Sequence, residues 1–304
     1  MQTLAPYLGD RRRFDRQNSD QLLGPYDLDW RSYLPRLLEY ATTHGFLHRS
    51  DRTVHEQVLF RRLGVFVFVL AVWIWRTVAA GHPARRAAVA SAVFIVVEAL
   101  LGAGLVLFRL VAQDESLARA MVMPLHLANT MVLLLCLTLT AHFLSGGAPI
   151  AVAGRTRTVG VLAVLLVLMI GVGKTGAIAA LGDTLYPASS LLEGLKADFA
   201  PTTSVLLRLR VLHPALGVAV GAMLVFGTAA IPLAADDRRG RLARRAVVAL
   251  AAVQVVVGFV NVWLLAPIWL QLTHLLIADL RWIALVVLTA SARARREAPA
   301  VTSA

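Results

Sequence analysis

Three histidines stand near the starts of long apolar stretches, where an imidazole finds few polar partners. They are His126 in "PLHLAN", His213 in "HPALGVAVGAMLVF" and His274 in "QLTHLLIAD". An ionisable side chain inside a membrane segment indicates a functional site by default. Two neutral imidazoles suit the axial positions of a haem iron, and such sites are built between facing helices of a bundle. The alternative for each histidine is a plain hydrogen bond to a neighbouring helix.

Two other kinds of side chain bear on this chemistry. Arg208 and Arg210 stand just before His213, where guanidinium groups can pair with haem propionates through charge-assisted hydrogen bonds. Interfacial anchoring is an equally good interpretation of both arginines. A zinc site would need more Cys, His or carboxylate ligands than the pattern offers. The only cysteine, Cys136, lies in an apolar stretch, so a disulfide framework is excluded.

The composition indicates where these residues are placed. Of 304 residues, 58% are apolar and 16% charged, with a formal net charge of +12. Soluble domains have roughly 45–50% apolar and about 25% charged residues, so a soluble enzyme is excluded. The basic excess lies in short arginine patches between apolar stretches, without an aromatic-rich basic face. We therefore expect membrane lipid, and no nucleic acid, as a partner.

Seven stretches approach the roughly 20 apolar residues that cross a bilayer. They are 63–80, 87–111, 120–144, 158–181, 211–233, 246–266 and 271–292. Arginines concentrate in alternate loops and in the tail, which predicts a cytoplasmic C-terminus. This orientation places the three histidines at similar depth in the outer leaflet. It also places the polar residues 1–62, to which we assign no fold, on the outer side.

The chain contains an internal repeat. Glu98–Gly102 ("EALLG") matches Gln254–Gly258 ("QVVVG"), and in each copy the next helix carries a histidine, His126 or His274. Two helical hairpins are therefore copies of one another. For Glu98 we expect a buried hydrogen bond between helices, because its repeat mate is the neutral Gln254. A proton relay is the alternative for Glu98.

The helix before each hairpin extends the repeat with less agreement. Aligning Gly64 with Gly217 places Phe60 opposite His213, and a slip of five residues places His55 there instead. The first copy has therefore diverged at the position where the second copy has its histidine.

The motifs together resemble the haem A synthase family of cytochrome oxidase assembly proteins. In the second half these are "ALGDTLYPASSLLEGLKADFAP" at 180–201, "LRLRVLHPALGV" at 207–218, "QVVVGFVNV" at 254–262 and "QLTHLLIADLRWIALVVL" at 271–288. In the first half, "EALLGAGLVLF" and "PLHLANTMVLLL" resemble the corresponding pair. The resemblance covers about residues 65–290.

This resemblance implies an all-α integral membrane protein of two pseudo-repeated four-helix bundles, of whose eight helices about seven are visible here. It implies oxidation of the C8 methyl group of haem O to the formyl group of haem A. Haem b would be held by His213 and His274, and the substrate haem by His126 and His55. Electrons would pass by way of haem b. Haem O synthase and an unidentified electron donor would be partners in the cell membrane, and a homo-oligomer is left open.

The chain departs from the family at its N-terminus. The family's first helix, the cysteine-bearing outer loop and a Glu-x-x-His are not recognisable. Glu39 in "LLEYATTH" and Glu56 in "VHEQVLFRR" are the candidates for a catalytic acid. The corresponding division of the chain is a polar segment 1–62, a substrate-side half-bundle 63–145, a haem b bundle 157–292 and a cytoplasmic tail 293–304.

Two functions of other classes compete with the synthase. One is a non-catalytic haem b electron carrier or assembly factor, in which only the second bundle works. The other is a small-solute transporter, since such proteins also contain internal repeats. The transporter is the weaker of the two because no predicted helix is broken in mid-membrane by paired Gly and Pro.

Overall fold

The computed structural model describes residue 35 and residues 51–111, 114–150, 156–200, 205–234 and 236–292, and within them the chain forms α-helices joined by short loops. Its helices are α1 (Asp51–Thr77), α2 (Pro83–Leu107), α3 (Leu117–Leu144), α4 (Thr156–Leu185), α5 (Leu191–Phe199), α6 (Val205–Ala229), α7 (Arg238–Trp263) and α8 (Ile268–Ala292). Within these ranges there is no β-strand. The chain divides into two compact units, Met1–Arg61 and Arg62–Ala304; the features below concern the second.

Six of these helices are long and apolar enough to cross a membrane: α2, α3, α4, α6, α7 and α8. Many of their large side chains are exposed, among them Leu107 and Trp263 at 77% and 78%. Apolar surface on this scale needs lipid rather than water. The predicted all-α integral membrane fold is confirmed as a multi-pass helical protein.

The first predicted span is shorter than expected. It corresponds to α1, whose apolar part Gly64–Thr77 falls short of spanning length. Arg61 and Arg62 precede this part, and Arg76 lies in its last turn. The described helices therefore provide six full-length spans where the sequence predicts seven.

Local chemistry sets where several helices begin. Helix α2 starts with Pro83, whose fixed φ suits a first helical position, and the Nδ1 atom of His82 accepts from Ala84 N at 3.2 Å. Helix α7 starts after Asp237, whose carboxylate accepts from Gly240 N at 2.7 Å. Each cap satisfies a backbone donor that the first turn leaves unpaired.

One apolar core joins the two halves of the repeat. It includes Met131 of α3, Leu162 of α4, Leu224 of α6, Val247 of α7 and Leu285 of α8. The indole Nε1 of Trp282 also donates to the carbonyl of Met131 at 2.8 Å, across α8 and α3. Because this hydrogen bond and its neighbours are buried, the hairpin of the first half is fixed against the second half.

Candidate functional site

The three membrane histidines occupy similar positions in their helices. His126, His213 and His274 lie nine, eight and six residues after the first residues of α3, α6 and α8. At 1.5 Å per residue these offsets differ by only about 5 Å along the helix axes.

His213 and His274 face each other between α6 and α8. Their ring centroids are 6.3 Å apart and their planes make an angle of 79°. Nδ1 of His213 lies 3.1 Å from the hydroxyl of Thr175 on α4, and that hydroxyl donates to the carbonyl of Val172 at 2.9 Å. Nδ1 of His274 is buried and has no hydrogen-bond partner among the described residues. Of the two imidazoles, only that of His213 is tied through Nδ1 to a side chain of the described chain.

Glycines bring neighbouring helices close to both rings. A Cβ atom at Gly176 would lie 3.0 Å from Cε1 of His213, and one at Gly258 would lie 3.2 Å from Cε1 of His274. Gly217, one turn after His213 on the same helix, would find nothing within 4 Å of an added Cβ. Helices α4 and α7 therefore pack closely against the two imidazoles, whereas the space beside Gly217 is open.

The first half repeats part of this arrangement around His126. A Cβ atom at Gly102 on α2 would lie 3.3 Å from Nε2 of His126. This glycine matches Gly258 in the sequence repeat, and the histidine that it contacts matches His274. The internal repeat predicted from the sequence is therefore present in the contacts between helices.

The residues that open the two repeat motifs both bridge helices. Glu98 Oε1 is 3.1 Å from Nδ1 of His126, Oε2 accepts from Asn129 Nδ2 at 2.6 Å, and the hydroxyl of Thr130 contacts the same carboxylate. Gln254 Nε2 donates to the backbone carbonyl of His274 at 3.1 Å. The hydrogen bond between helices that was expected for Glu98 is confirmed. Gln254 forms one as well, but the two side chains reach different parts of the histidine residue.

The two arginines predicted to contact propionates lie on α6 with different surroundings. Arg210 is paired with Asp183 at 2.9 Å and also with Asp198, so two carboxylates of the chain already surround its guanidinium group. Arg208 is exposed. Arg210 thus joins the end of α4 to α5 and α6, and its predicted contact with a propionate stays a prediction, as does that of Arg208.

A third arginine lies deeper in the same bundle. Arg281 is only 4% exposed, and no hydrogen bond or ion pair links it to another described residue. It follows His274 by two helical turns on α8. The sequence shows an arginine inside an apolar helix, but not whether it has a partner.

The remaining predicted site residues are not described in detail. His55 and Glu56 belong to helix α1, but their side chains are outside the described part of the structure. Glu39 lies outside the described residues. The sequence pattern did not single out Thr175 or Gly176. Both stand in "GKTGA", whose small residues inside an apolar helix were the available signal.

The sequence profile of a family described as cytochrome oxidase assembly protein matches residues 55–286, which include the whole histidine site. Two curated relatives, each named protoheme IX farnesyltransferase, come from two strains of Thermus thermophilus. Each is 40% identical over 267 residues, covering 86% of this chain and 42% of the relative. The chain therefore matches less than half the length of these relatives.

No solved structure matches the chain. The family profile spans about three quarters of the sequence and includes the repeat motifs, the three membrane histidines and the glycines against which they pack. By this match the chain belongs to the cytochrome oxidase assembly protein family, the family of haem A synthases.

Proposed function

We propose that this protein is a membrane haem A synthase that oxidises the C8 methyl group of haem O to the formyl group of haem A. The observation that carries the proposal is the separation of 6.3 Å between the rings of His213 and His274. An imidazole nitrogen lies about 2 Å from a metal that it ligates, and two such bonds in line place the ring centroids about 6 Å apart. The pair is thus spaced for one metal between two imidazoles.

The surrounding residues fit a haem b at this position. The hydroxyl of Thr175 holds Nδ1 of His213, which leaves Nε2 for iron. Gly217 leaves open space next to the pair, and the helices around it supply apolar side chains to cover a macrocycle. Arg281, buried and without a partner among the described residues, is suited to pair with a propionate. When bound, haem b would supply one-electron transfer.

The first half would hold the substrate. Haem O would enter the first half laterally from lipid, and His126 would be its iron ligand. His55 is the second candidate ligand. Glu56 and Glu39 are the candidate acids near the reacting edge. Converting methyl to formyl replaces two hydrogens with one oxygen. It releases four electrons if water supplies the oxygen, and it consumes four electrons if two molecules of dioxygen are used. The water route would need an electron acceptor and the dioxygen route an electron donor. We propose the dioxygen route, with a membrane electron donor that supplies the four electrons.

The names of the two relatives support a haem O synthase as the partner of this protein. Their name describes farnesyl transfer to protohaem IX, and haem O is a protohaem with a farnesyl-derived chain. An enzyme of that activity, a haem O synthase, would supply the proposed substrate. We place both proteins in the cell membrane, with the C-terminus of this chain in the cytoplasm.

A second candidate function rests on the difference between the two halves. The second half brings two imidazoles together, whereas the described part of the first half has one imidazole at the matching site. A haem b electron carrier or assembly factor without oxidation chemistry would need only the second half.

Haem analysis distinguishes these functions. The full chain is expressed with a haem O synthase in a host that makes no haem A, and the extracted haems are separated by chromatography. We expect haem A with the wild-type chain and only haem O with His126→Ala, while the reduced-minus-oxidised spectrum of haem b persists in both. If the wild-type chain keeps its haem b spectrum but yields no haem A, the protein is not a synthase.

A further inference from the structure

The two copies of the repeat differ in which part of the histidine the first residue of the motif contacts. In the second half, the amide of Gln254 binds the backbone carbonyl of His274 and leaves the buried Nδ1 of that imidazole without a partner among the described residues. In the first half, the carboxylate of Glu98 faces Nδ1 of His126 directly, at 3.1 Å. One substitution between the copies, Gln to Glu, thus changes the contact from backbone to imidazole.

The carboxylate of Glu98 is held in place by more than the imidazole. Asn129 donates from Nδ2 to Oε2 of Glu98 at 2.6 Å and also to the carbonyl of Phe94 at 3.0 Å. Thr130, whose hydroxyl bonds its own helix at the carbonyl of His126, contacts Oε1. The Glu98 side chain is only 16% exposed. A carboxylate in apolar surroundings needs such donors, because each unsatisfied oxygen is costly there.

A carboxylate at Nδ1 has two effects on an imidazole. It fixes the tautomer with hydrogen on Nδ1 and leaves the Nε2 lone pair available as a ligand, and it makes that nitrogen a stronger donor. Nε2 of His126 is the atom that faces Gly102 on α2, so the fixed ring presents it at a close contact between two helices. Stronger donation to a haem iron favours the oxidised metal, since hydrogen bonding around the axial ligands tunes the potential.

We infer that Glu98 is a positioning residue of the first half: it holds His126 as a strongly donating ligand, so that the substrate haem has a lower reduction potential than it would with a neutral partner. The inference rests on the proposed binding of haem by His126. It explains why the chain has an acidic residue inside α2 where the second half has a glutamine. The two bundles would thereby present their haems to differently polarised imidazoles.

The test isolates the first half. In a His213→Ala/His274→Ala background the purified full chain is titrated with haemin, and the midpoint potential of the bound haem is measured by spectroelectrochemistry. We expect haemin to bind through His126 and the potential to shift positively in Glu98→Gln, because a neutral amide polarises the imidazole less than a carboxylate does. Spectra are taken on the monodisperse fraction only, so that unfolded protein does not contribute.

A matched variant separates positioning from a structural tie. Thr130→Val removes a hydroxyl that contacts Glu98 but leaves the contact between Glu98 and His126, so it should shift the potential less than Glu98→Gln does. If both variants lower the thermal stability equally and neither shifts the potential, Glu98 only ties two helices and the inference is wrong. If the background variant is folded but binds no haemin, the proposed first-half haem site fails instead.

Discussion

The rings of His213 and His274 are nearly perpendicular, with centroids 6.3 Å apart, although they come from helices separated by the whole of α7. They are too far apart for a direct hydrogen bond between them. In apolar surroundings two imidazoles at this distance need an atom between them or separate partners, and only His213 has a side-chain partner among the described residues. The pair is therefore the feature from which the haem b site can be tested first.

Removing either member of this pair should remove the haem b spectrum. His213→Ala and His274→Ala each delete one of two axial ligands, so we expect loss of the low-spin haem bands in a reduced-minus-oxidised spectrum of purified protein. His82→Asn is the control, because His82 caps α2 outside the apolar part of the helices and Asn is a good capping residue. Unchanged bands in either alanine variant would contradict the ligand assignment.

A single methyl group added at a glycine that packs against one of the rings should disturb the haem site. Gly176→Ala adds a Cβ atom 3.0 Å from Cε1 of His213, so the imidazole must shift by a few tenths of an ångström. We expect weaker haem retention and a displaced absorption band. Gly171→Ala on the same helix is the matched control, since its Cβ would find nothing within 4 Å. Both substitutions stabilise the helix by about 1 kcal/mol through the higher helix propensity of Ala. A difference in haem retention between the two variants therefore reports the contact with the imidazole ring.

Arg210 and its two carboxylates should behave as one structural unit. If the ion pairs explain the role of Arg210, then Arg210→Gln and the double variant Asp183→Asn/Asp198→Asn lower thermal stability by similar amounts. Hydrogen bonds to charged groups contribute about 1.5–3 kcal/mol each, which sets the scale of the loss. Haem retention at matched temperature is the second measurement. A haem loss in Arg210→Gln that the double carboxylate variant does not share would support the predicted propionate contact.

The sequence predicted the elements better than it predicted the partners of individual side chains. The apolar stretches and the repeat predicted an all-helical membrane protein with a bridging side chain at Glu98, and the structure confirms both. The partners of Arg210 could not be read from spacing, because Asp183 and Asp198 reach it only through the arrangement of α4, α5 and α6. The contact of Thr175 with His213 depends likewise on which face of α4 meets α6.

The length of α1 was the point at which the sequence pattern failed. Apolar residues predict a span at 63–80, but the apolar part of the helix closes at Thr77, just after Arg76. This stretch is the weakest of the seven in the sequence as well, because Arg76 interrupts it near its end.

Replacing Arg281 should have opposite effects on the stability of the haem-free protein and on the retention of haem. Its guanidinium group is buried and has no partner among the described residues, so Arg281→Met should raise the stability of the haem-free protein by roughly 1–4 kcal/mol, the scale on which apolar replacements of buried ions stabilise. If Arg281 binds a propionate, the same variant should lose haem about tenfold faster, since a lost charge-assisted bond exceeds about 1.4 kcal/mol. Arg281→Lys keeps the charge and should retain more haem than Arg281→Met. Thermal melts of the haem-free protein and the rate of haem transfer to excess apomyoglobin measure the two effects. A stabilised variant that retains haem as well as the wild type would show that Arg281 contacts no propionate.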